Sequence, residues 1–344
     1  MSQKALTRYL PLVLFPVLSA LALKLTLGNL DASGLNATVE DQCPAHPLSP
    51  QLTPHRMAYV GIPFVDKALC SFVTLFHLAL THQVLPFLTY FLGTSMSLFA
   101  IPAFEACRNG RHSLLAFPIV FGLLMQVMTM GAVLPIYWLI FILTGAAQRH
   151  PGGGPTHISS AHAQAVVFGL IIGVAIPSIC LIVLQDSYVT ALWQLFPLWQ
   201  FLAQSAHLTF RRPSAHPDSG YSWVSALYLG AFIISSSTHL GTMAKAKTFA
   251  GMKAFFLPSV TPLTSAAPNM QALDLFQWDA VFAFISTLLG TMWFARNGTQ
   301  AICIALWNVI GSFVVGPGAV IAIIALWREA HLHSSTNNEK EKEE

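Results

Sequence analysis

Long apolar stretches separated by short polar segments dominate the hydrophobicity pattern of this chain. An α-helix needs about 20 apolar residues to cross the roughly 30 Å hydrocarbon core of a bilayer, and about eight stretches approach or exceed that length. The alternating polar and apolar pattern of a transmembrane β-barrel is absent from the sequence. The predicted spans are residues 9–27, 84–106, 114–145, 161–184, 189–208, 223–243, 275–294 and 301–327.

Two segments leave alternatives open. Residues 114–145 are long for one span and contain Gly131 and Pro135, so we expect one kinked span or a span with a bent extension, because proline removes a helical hydrogen bond. The apolar centre of residues 65–83 is short for a span, which favours an interfacial or re-entrant helix. If residues 68–80 span the membrane, or if residues 114–145 form two spans, every later segment lies on the opposite side of the membrane.

The whole chain, residues 1–344, is predicted to be a single membrane domain. Residues 28–59 are predicted to form a polar lumenal loop, and the charged residues 334–344 a disordered cytosolic tail. The first apolar stretch lacks the small-residue cleavage pattern of a signal peptide, so we expect a retained anchor. The predicted fold class is an all-α, polytopic integral membrane helical bundle of about eight transmembrane helices, within a range of seven to nine.

Composition agrees with this class and narrows the partners. Hydrophobic residues make up 54% of the chain and charged residues only 9%, whereas soluble domains carry about 25% charged residues. The formal net charge of +3 is small and dispersed, so we expect the lipid bilayer and no nucleic acid as a partner. The five cysteines show no metal-ligand spacing, and four lie in apolar segments. Neither a metal site nor a disulfide framework is therefore predicted.

Basic residues and sequons orient the predicted spans. With a cytosolic N-terminus, eight spans place both N-glycosylation sequons, at Asn36 and Asn297, in the lumen. Arg108 then lies in the cytosol, as the positive-inside rule prefers. Arg149 and the pair at 211–212 fall on the disfavoured side.

Five of the fourteen acidic residues lie in or beside apolar sequence and are the candidates for chemistry. A charge within a membrane is costly, so such residues are functional candidates by default. Apolar surroundings also favour the protonated carboxyl group, which can then act as a proton donor. These residues are Asp66, Glu105, Asp186, Asp274 and Asp279.

Most of these acids also have a structural interpretation. Asp66 opens a helical pattern and could be its N-cap. Glu105 precedes Arg108 by one helical turn and could pair with it. Asp186 lies in a short polar turn, and Asp274 could cap the span that follows it.

Asp279 is the acid least easily explained by structure alone, because no basic residue lies within one helical turn of it. The eight-span topology brings four acids toward the cytosolic side, where we expect a shared cavity. These are Glu105, Asp186, Asp274 and Asp279. Asp279 and Glu105 are the predicted catalytic pair, and Asp66 is a third candidate that becomes a cap if its helix does not re-enter the membrane.

Weaker polar signals within the spans concern binding. Gln126 and Trp278 are predicted to contact a substrate, the tryptophan through cation–π attraction to a carbocation. Most other tryptophans fit an interfacial belt, and the isolated histidines fit satisfied core residues. No Asp-rich diphosphate motif, P-loop, nucleophile elbow or dinucleotide fingerprint occurs in the sequence. No cofactor is predicted, and acid–base chemistry on an apolar substrate fits what remains.

Three soft patterns carry a resemblance to a known family. Residues 60–70 read VGIPFVDKALC, residues 104–110 read FEACRNG, and residues 135–137 read PIY. Over most of residues 55–328 the chain resembles the fungal membrane-bound terpene cyclases of ascochlorin, ascofuranone and macrophorin biosynthesis, with related indole-diterpene pathway membrane proteins. The resemblance assigns no catalytic residue, so the candidates above rest on the distribution of acidic residues.

The resemblance implies a function for the chain. It implies cyclisation of the prenyl chain of a meroterpenoid or other terpenoid in the endoplasmic-reticulum membrane, begun by protonating an epoxide or a terminal alkene. The implied partners are a farnesyl- or geranylgeranyl-derived substrate and an upstream prenyltransferase and epoxidase. Two other classes stay open, namely a transporter or receptor-like protein and a non-catalytic membrane partner of pathway enzymes.

Overall fold

The computed structural model describes residues 3–45, 51–149, 156–246 and 248–343, with side chains described between residues 9 and 333. Helices make up most of these ranges, and the one strand-like contact there is an isolated bridge between Ser159 and Ser219. The all-α prediction is confirmed. The main helices are α1 Gln3–Leu23 (continued by Lys24–Gly28 and Asn29–Ala32), α2 Leu35–Gln42, α3 Pro63–Ala79, α4 Leu85–Cys107, α5 Pro118–Met128, α6 Met130–Leu143, α7 Ser160–Leu184, α8 Ser187–Trp193, α9 Phe196–Phe210, α10 Tyr221–Ala246, α11 Phe249–Phe256, α12 Pro268–Phe294, α13 Gly298–Val314 and α14 Pro317–Glu343.

Five helices in the described part of the chain are long and apolar enough to cross a membrane. They are Tyr9–Ala32 in α1, together with α4, α7, α10 and α12. Three shorter helices, α5, α6 and α13, are also apolar. This set is compatible with a membrane bundle of about eight helices, although it does not fix that count.

Residues 114–145, predicted as one kinked or extended span, form a hairpin of two short helices. Thr129 separates α5 from α6 with φ 77° and ψ 153°, a conformation that only glycine adopts readily. α6 then returns along α5, where the rings of Phe121 and Tyr137 lie 5.3 Å apart. Beyond α6, Arg149 approaches the carboxylate of Glu105 to 3.7 Å. The hairpin therefore begins and ends on the same side of the bundle.

This hairpin changes the side that each later segment reaches. α7 begins beside Glu105, where Arg108 donates a hydrogen bond to the Thr156 carbonyl at 2.7 Å. α7 ends on the opposite side, where Ser187 hydrogen-bonds His55 at 2.9 Å. The two sides are named here the Glu105 end and the His55 end.

The prediction that four acids share one side is wrong. Asp186 lies at the His55 end, where it caps α8 by accepting two of its first N–H groups. α12 runs from the His55 end, with Asp274 in its second turn, past Asp279 to the Glu105 end. The assumed alternation of spans fails because the hairpin does not cross the bundle.

The same reversal places the two sequons at opposite ends. Asn36 lies on α2 at the His55 end. Asn297 caps α13 directly after α12 has reached the Glu105 end. The prediction that both sequons face one compartment is therefore wrong. Arg149 and the pair at 211–212, which an eight-span count puts on the disfavoured side, now lie at the Glu105 end with Arg108.

Cys43 and Cys70 form a disulfide, contrary to the sequence-based expectation. The bond joins the end of α2 to α3, with the two Cα atoms 5.8 Å apart. Both side chains are fully buried. The pair has no sequence signature, because the folding of α2 against α3 is what brings the two thiols together.

Two other predicted spans are broken into separate helices. Gln194 and Leu195 separate α8 from α9 within residues 189–208. Gly316, with φ 92°, separates α13 from α14 within residues 301–327. A side chain at Gly316 would also meet the His239 ring at 2.7 Å, so this turn requires glycine.

Segments predicted to be irregular contain helix. Within residues 28–59, α1 continues to Ala32 and α2 follows. α14 continues to Glu343 through the predicted disordered tail, which is rich in the good helix formers lysine and glutamate. The side chains of residues 334–344 lie outside the described part. The compartments assigned to the loop and the tail stay predictions.

Candidate active site

An apolar cavity of about 390 Å³ lies between the hairpin and the helices around it. Small-molecule pockets typically measure about 300–1,000 Å³, so the cavity suits a small apolar ligand. Helices α1, α3–α10 and α12 contribute to its walls. Seven aromatic side chains are part of the lining: Phe72, Phe76, Phe91, Phe99, Trp193, Phe196 and Phe276.

Polar side chains are few in this cavity. Gln126 at the end of α5, Thr129 at the hairpin tip, Gln194 after α8 and Asp279 in α12 all line it. Three hydroxyl-bearing residues, Thr89, Ser178 and Thr238, complete the polar lining. Asp279 is the one acidic residue among the described lining residues. The tip of the hairpin is the segment that contacts this acid.

Asp279 is buried against the start of α6. Its Oδ1 accepts the backbone N–H of Gly131 at 2.5 Å, so the carboxylate satisfies one of the free donors at a helix N-terminus. A side chain at Gly131 would meet the Asp279 carbonyl oxygen at 2.8 Å, and glycine therefore permits the close approach. None of the ion pairs between described residues involves Asp279.

Thr129 lies beside Asp279 in a strained conformation. Its φ of 77° with ψ of 153° costs a side-chain-bearing residue about 1–3 kcal/mol. Its hydroxyl is buried beside the Asp279 carboxyl group. Strain of this kind is typical of functional sites, and here it occurs where the chain meets the buried acid.

Glu105 lies in a buried charge cluster instead. Its Oε1 accepts hydrogen bonds from Arg108 Nε at 2.9 Å and Arg328 Nη1 at 2.7 Å, and Arg149 lies 3.7 Å from Oε2. Arg108 also bonds Glu329. Three guanidinium groups stabilise the ionised carboxylate, and Glu105 does not line the cavity. The predicted catalytic pair of Glu105 and Asp279 is not formed.

Asp66, the third predicted acid, orders the chain before α3. Its Oδ1 accepts the N–H groups of Tyr59 at 3.0 Å and Val60 at 2.8 Å. Ile62, and not Asp66, occupies the N-cap position of α3. Asp66 does not line the cavity. Its contacts are those of a residue that holds a loop in place.

The two predicted substrate contacts differ in their placement. Gln126 lines the cavity, and its contact with a substrate stays a prediction. Trp278 does not line the cavity. Its Nε1 donates to the Ser259 carbonyl at 2.8 Å, and its ring stacks on Phe282. Other aromatic rings take the place that the sequence assigned to Trp278.

A histidine pair lies outside the cavity lining. The rings of His55 and His77 are 4.2 Å apart, and burial together with the neighbouring His77 lowers the pKa of His55 to about 4. His55 is therefore neutral at neutral pH. Among the described residues, no three potential metal ligands lie close enough to share an ion.

Sequence analysis missed five polar residues of the cavity, namely Thr89, Thr129, Ser178, Gln194 and Thr238. Gln194 carries the signal that identified Gln126, an amide inside an apolar run, and could have been found by it. Thr129 carries none, because its backbone conformation and not its residue type distinguishes it.

The sequence model of the CtvD domain family matches residues 10–332. The chain belongs to the CtvD domain family. A protein of Acremonium egyptiacum named terpene cyclase ascI is 26% identical over 250 residues, which are 67% of this chain and 65% of that protein. The match thus spans slightly less than two thirds of the relative's length. No solved structure matches the chain.

These matches confirm the resemblance to a fungal terpene cyclase family. The apolar helices are compatible with a membrane location.

Proposed function

We propose that the protein is a membrane-bound terpene cyclase that closes rings in the prenyl chain of a meroterpenoid or other terpenoid. The observation that carries the proposal is the position of Asp279. This acid lines an apolar cavity that includes seven aromatic rings, lies 8% exposed and has no ion-pair partner among the described residues. A carboxyl group in such surroundings suits proton donation to an apolar substrate.

In the proposed reaction, Asp279 donates its proton to an epoxide oxygen or to the end carbon of a terminal alkene. With an epoxide, the carboxyl O–H bond breaks, the oxygen gains the proton, and the adjacent C–O bond opens. The electrons of the next double bond then form the ring bond, which moves the positive charge along the chain. Loss of a proton to a base ends the cascade, so substrate and product have the same mass.

The surroundings of Asp279 favour this step. The Gly131 N–H donates to the carboxylate, and the N-terminus of α6 stabilises the negative charge left after proton transfer. The aromatic walls stabilise cations by cation–π attraction and keep water from capturing them. The proposed substrate is a farnesyl- or geranylgeranyl-derived molecule made by a prenyltransferase and, on the epoxide route, by an epoxidase.

Product analysis tests this function. Membranes containing the protein are incubated with farnesyl phenols that carry either a terminal epoxide or a terminal alkene. We expect an isomeric cyclised product, and we expect Asp279→Asn to lower its rate by about 10³-fold because the proton donor is lost. Chromatography with mass spectrometry measures both.

The control is Trp278→Phe, which removes a hydrogen bond outside the cavity and should keep the activity. Unchanged activity in Asp279→Asn contradicts the assigned acid. Uptake of the probe into vesicles without chemical change points to a transporter instead.

We also propose an endoplasmic-reticulum location with the His55 end in the lumen. The Cys43–Cys70 disulfide suits an oxidising compartment, and the Asn36 sequon lies at the same end. Arg108 and Arg149 lie at the other end, as the positive-inside rule prefers for the cytosol.

Glycosylation tests this orientation. A glycan on Asn36 should slow the protein in gel electrophoresis until a glycosidase removes it, and Asn36→Gln should abolish the shift. Asn297→Gln should leave the shift unchanged. A glycan on Asn297 would contradict the orientation.

A further inference from the structure

Gln194 carries a buried side-chain N–H donor with no partner in the described part of the chain. It lies 5% exposed at the break between α8 and α9, and its backbone N–H donates to the Thr190 carbonyl at 3.2 Å. Its side-chain Nε2 has no hydrogen-bond partner among the described residues. An orphaned donor of this kind destabilises the protein on its own. Its side chain lines the same cavity as Asp279, so a bound ligand can supply the missing partner.

A row of aromatic rings connects the Gln194 region to the acid. Trp193, next in the chain to Gln194, packs its ring 4.8 Å from that of Phe76. Phe76 in turn lies 5.2 Å from Phe276, which precedes Asp279 by about one helical turn. The amide and the carboxyl group therefore stand on the two sides of a continuous apolar surface.

We propose that Gln194 binds an oxygen atom of the substrate, on the part of the molecule remote from the group that Asp279 protonates. The amide hydrogen-bonds a hydroxyl or carbonyl oxygen, and the prenyl chain runs along the aromatic row to Asp279. This rests on the proposed function and adds to it the residue that holds the oxygen-bearing part of the substrate.

The pairing makes Gln194 a source of specificity. A purely hydrocarbon substrate leaves the buried amide without a partner, so it binds more weakly than an oxygen-bearing one. Sites built to hydrogen-bond a substrate hydroxyl discriminate strongly against analogues that lack it. The cavity should therefore select for the oxygen as well as for the apolar chain.

Two probes that differ by one oxygen test the proposal. One is a farnesyl phenol with a terminal epoxide, and the other is the matching farnesylbenzene with the same epoxide and no hydroxyl. We expect the wild type to favour the phenol in kcat/KM by about 10-fold or more. Gln194→Leu should raise the KM of the phenol and remove this preference, while it raises the melting temperature because an unpaired buried amide is gone.

The matched control is Gln200→Leu, since Gln200 lies on α9 and does not line the cavity. It should keep the preference of the wild type. A preference that survives in Gln194→Leu, or that is lost equally in Gln200→Leu, overturns the proposal. A purely structural role for Gln194 predicts a lower melting temperature with an unchanged preference.

Failure of the proposed function is recognised separately. Binding of the two probes to the Asp279→Asn protein measures the role of Gln194 without any turnover. If neither probe is cyclised by the wild type, this binding ratio still decides the inference. Equal binding of phenol and benzene to Asp279→Asn overturns it.

Discussion

Glu105 and Asp279 are both buried carboxylates in long apolar helices, 1% and 8% exposed, yet their surroundings are opposite. Glu105 lies among three arginine side chains. Asp279 meets the backbone N–H groups at the start of α6, a strained threonine and an apolar cavity. Desolvation acts against the charged form of each carboxylate, and only Glu105 has cations to offset it.

The comparison shows that burial alone does not identify a catalytic acid. Counter-ions hold Glu105 in the charged form and commit it to joining α4, α14 and the end of the hairpin. Asp279 has no ion-pair partner among the described residues, and the cavity beside it has space for a ligand. One acid therefore has the contacts of a structural residue, and the other those of a proton donor.

The largest expected effect is a difference in stability between variants of Glu105 and Asp279. Glu105→Gln leaves the arginine cluster without its central charge and should lower the free energy of unfolding by about 3–5 kcal/mol. Asp279→Asn should cost at most about 1 kcal/mol, because the amide oxygen still accepts the Gly131 N–H. Thermal unfolding of the two variants in the same detergent measures the difference.

Glu329→Gln serves as the control within the cluster, since Glu329 bonds Arg108 from the other side. The decrease in the free energy of unfolding that Glu329→Gln causes should lie between those of Glu105→Gln and Asp279→Asn. If Glu105→Gln lowers the free energy of unfolding no more than Asp279→Asn does, the contrast between the two acids is wrong.

A smaller effect concerns the hairpin tip. Thr129→Gly relieves the unfavourable backbone conformation and should stabilise the protein by about 1 kcal/mol, after the entropic cost of glycine is subtracted. The same change removes the hydroxyl beside Asp279, so we expect slower cyclisation. Melting temperature and turnover, measured together, test this opposition.

Thr129→Ser keeps the hydroxyl and should stay close to the wild type in both measurements. If Thr129→Gly lowers the melting temperature, the strain is not relieved and the threonine is structurally required. In that case the hairpin tip resembles the Glu105 cluster more than a site that keeps strain for function.

The comparison also separates what sequence reasoning found at the site from what it missed. Asp279 was singled out because no basic residue follows it within a turn, and this local feature survives folding. Glu105 was singled out as an acid in apolar sequence, with Arg108 one turn away as a possible partner. Two further partners, Arg149 and Arg328, are distant in the chain. Only the tertiary structure shows that these cations surround it.

The sequence by itself determined the all-helical class, and three short patterns indicated the family. Its shortlist held four acids that are buried, but it also held the exposed Asp186 and missed the buried Glu329. Apolar runs of membrane length suffice for the helical class, because each backbone polar group in a bilayer must be satisfied within its own helix. The tertiary structure alone decided the hairpin at Thr129, the Cys43–Cys70 disulfide and the partition of acids between cluster and cavity. These features depend on one residue's backbone conformation and on contacts between distant segments, and neither leaves a periodic signal in the chain.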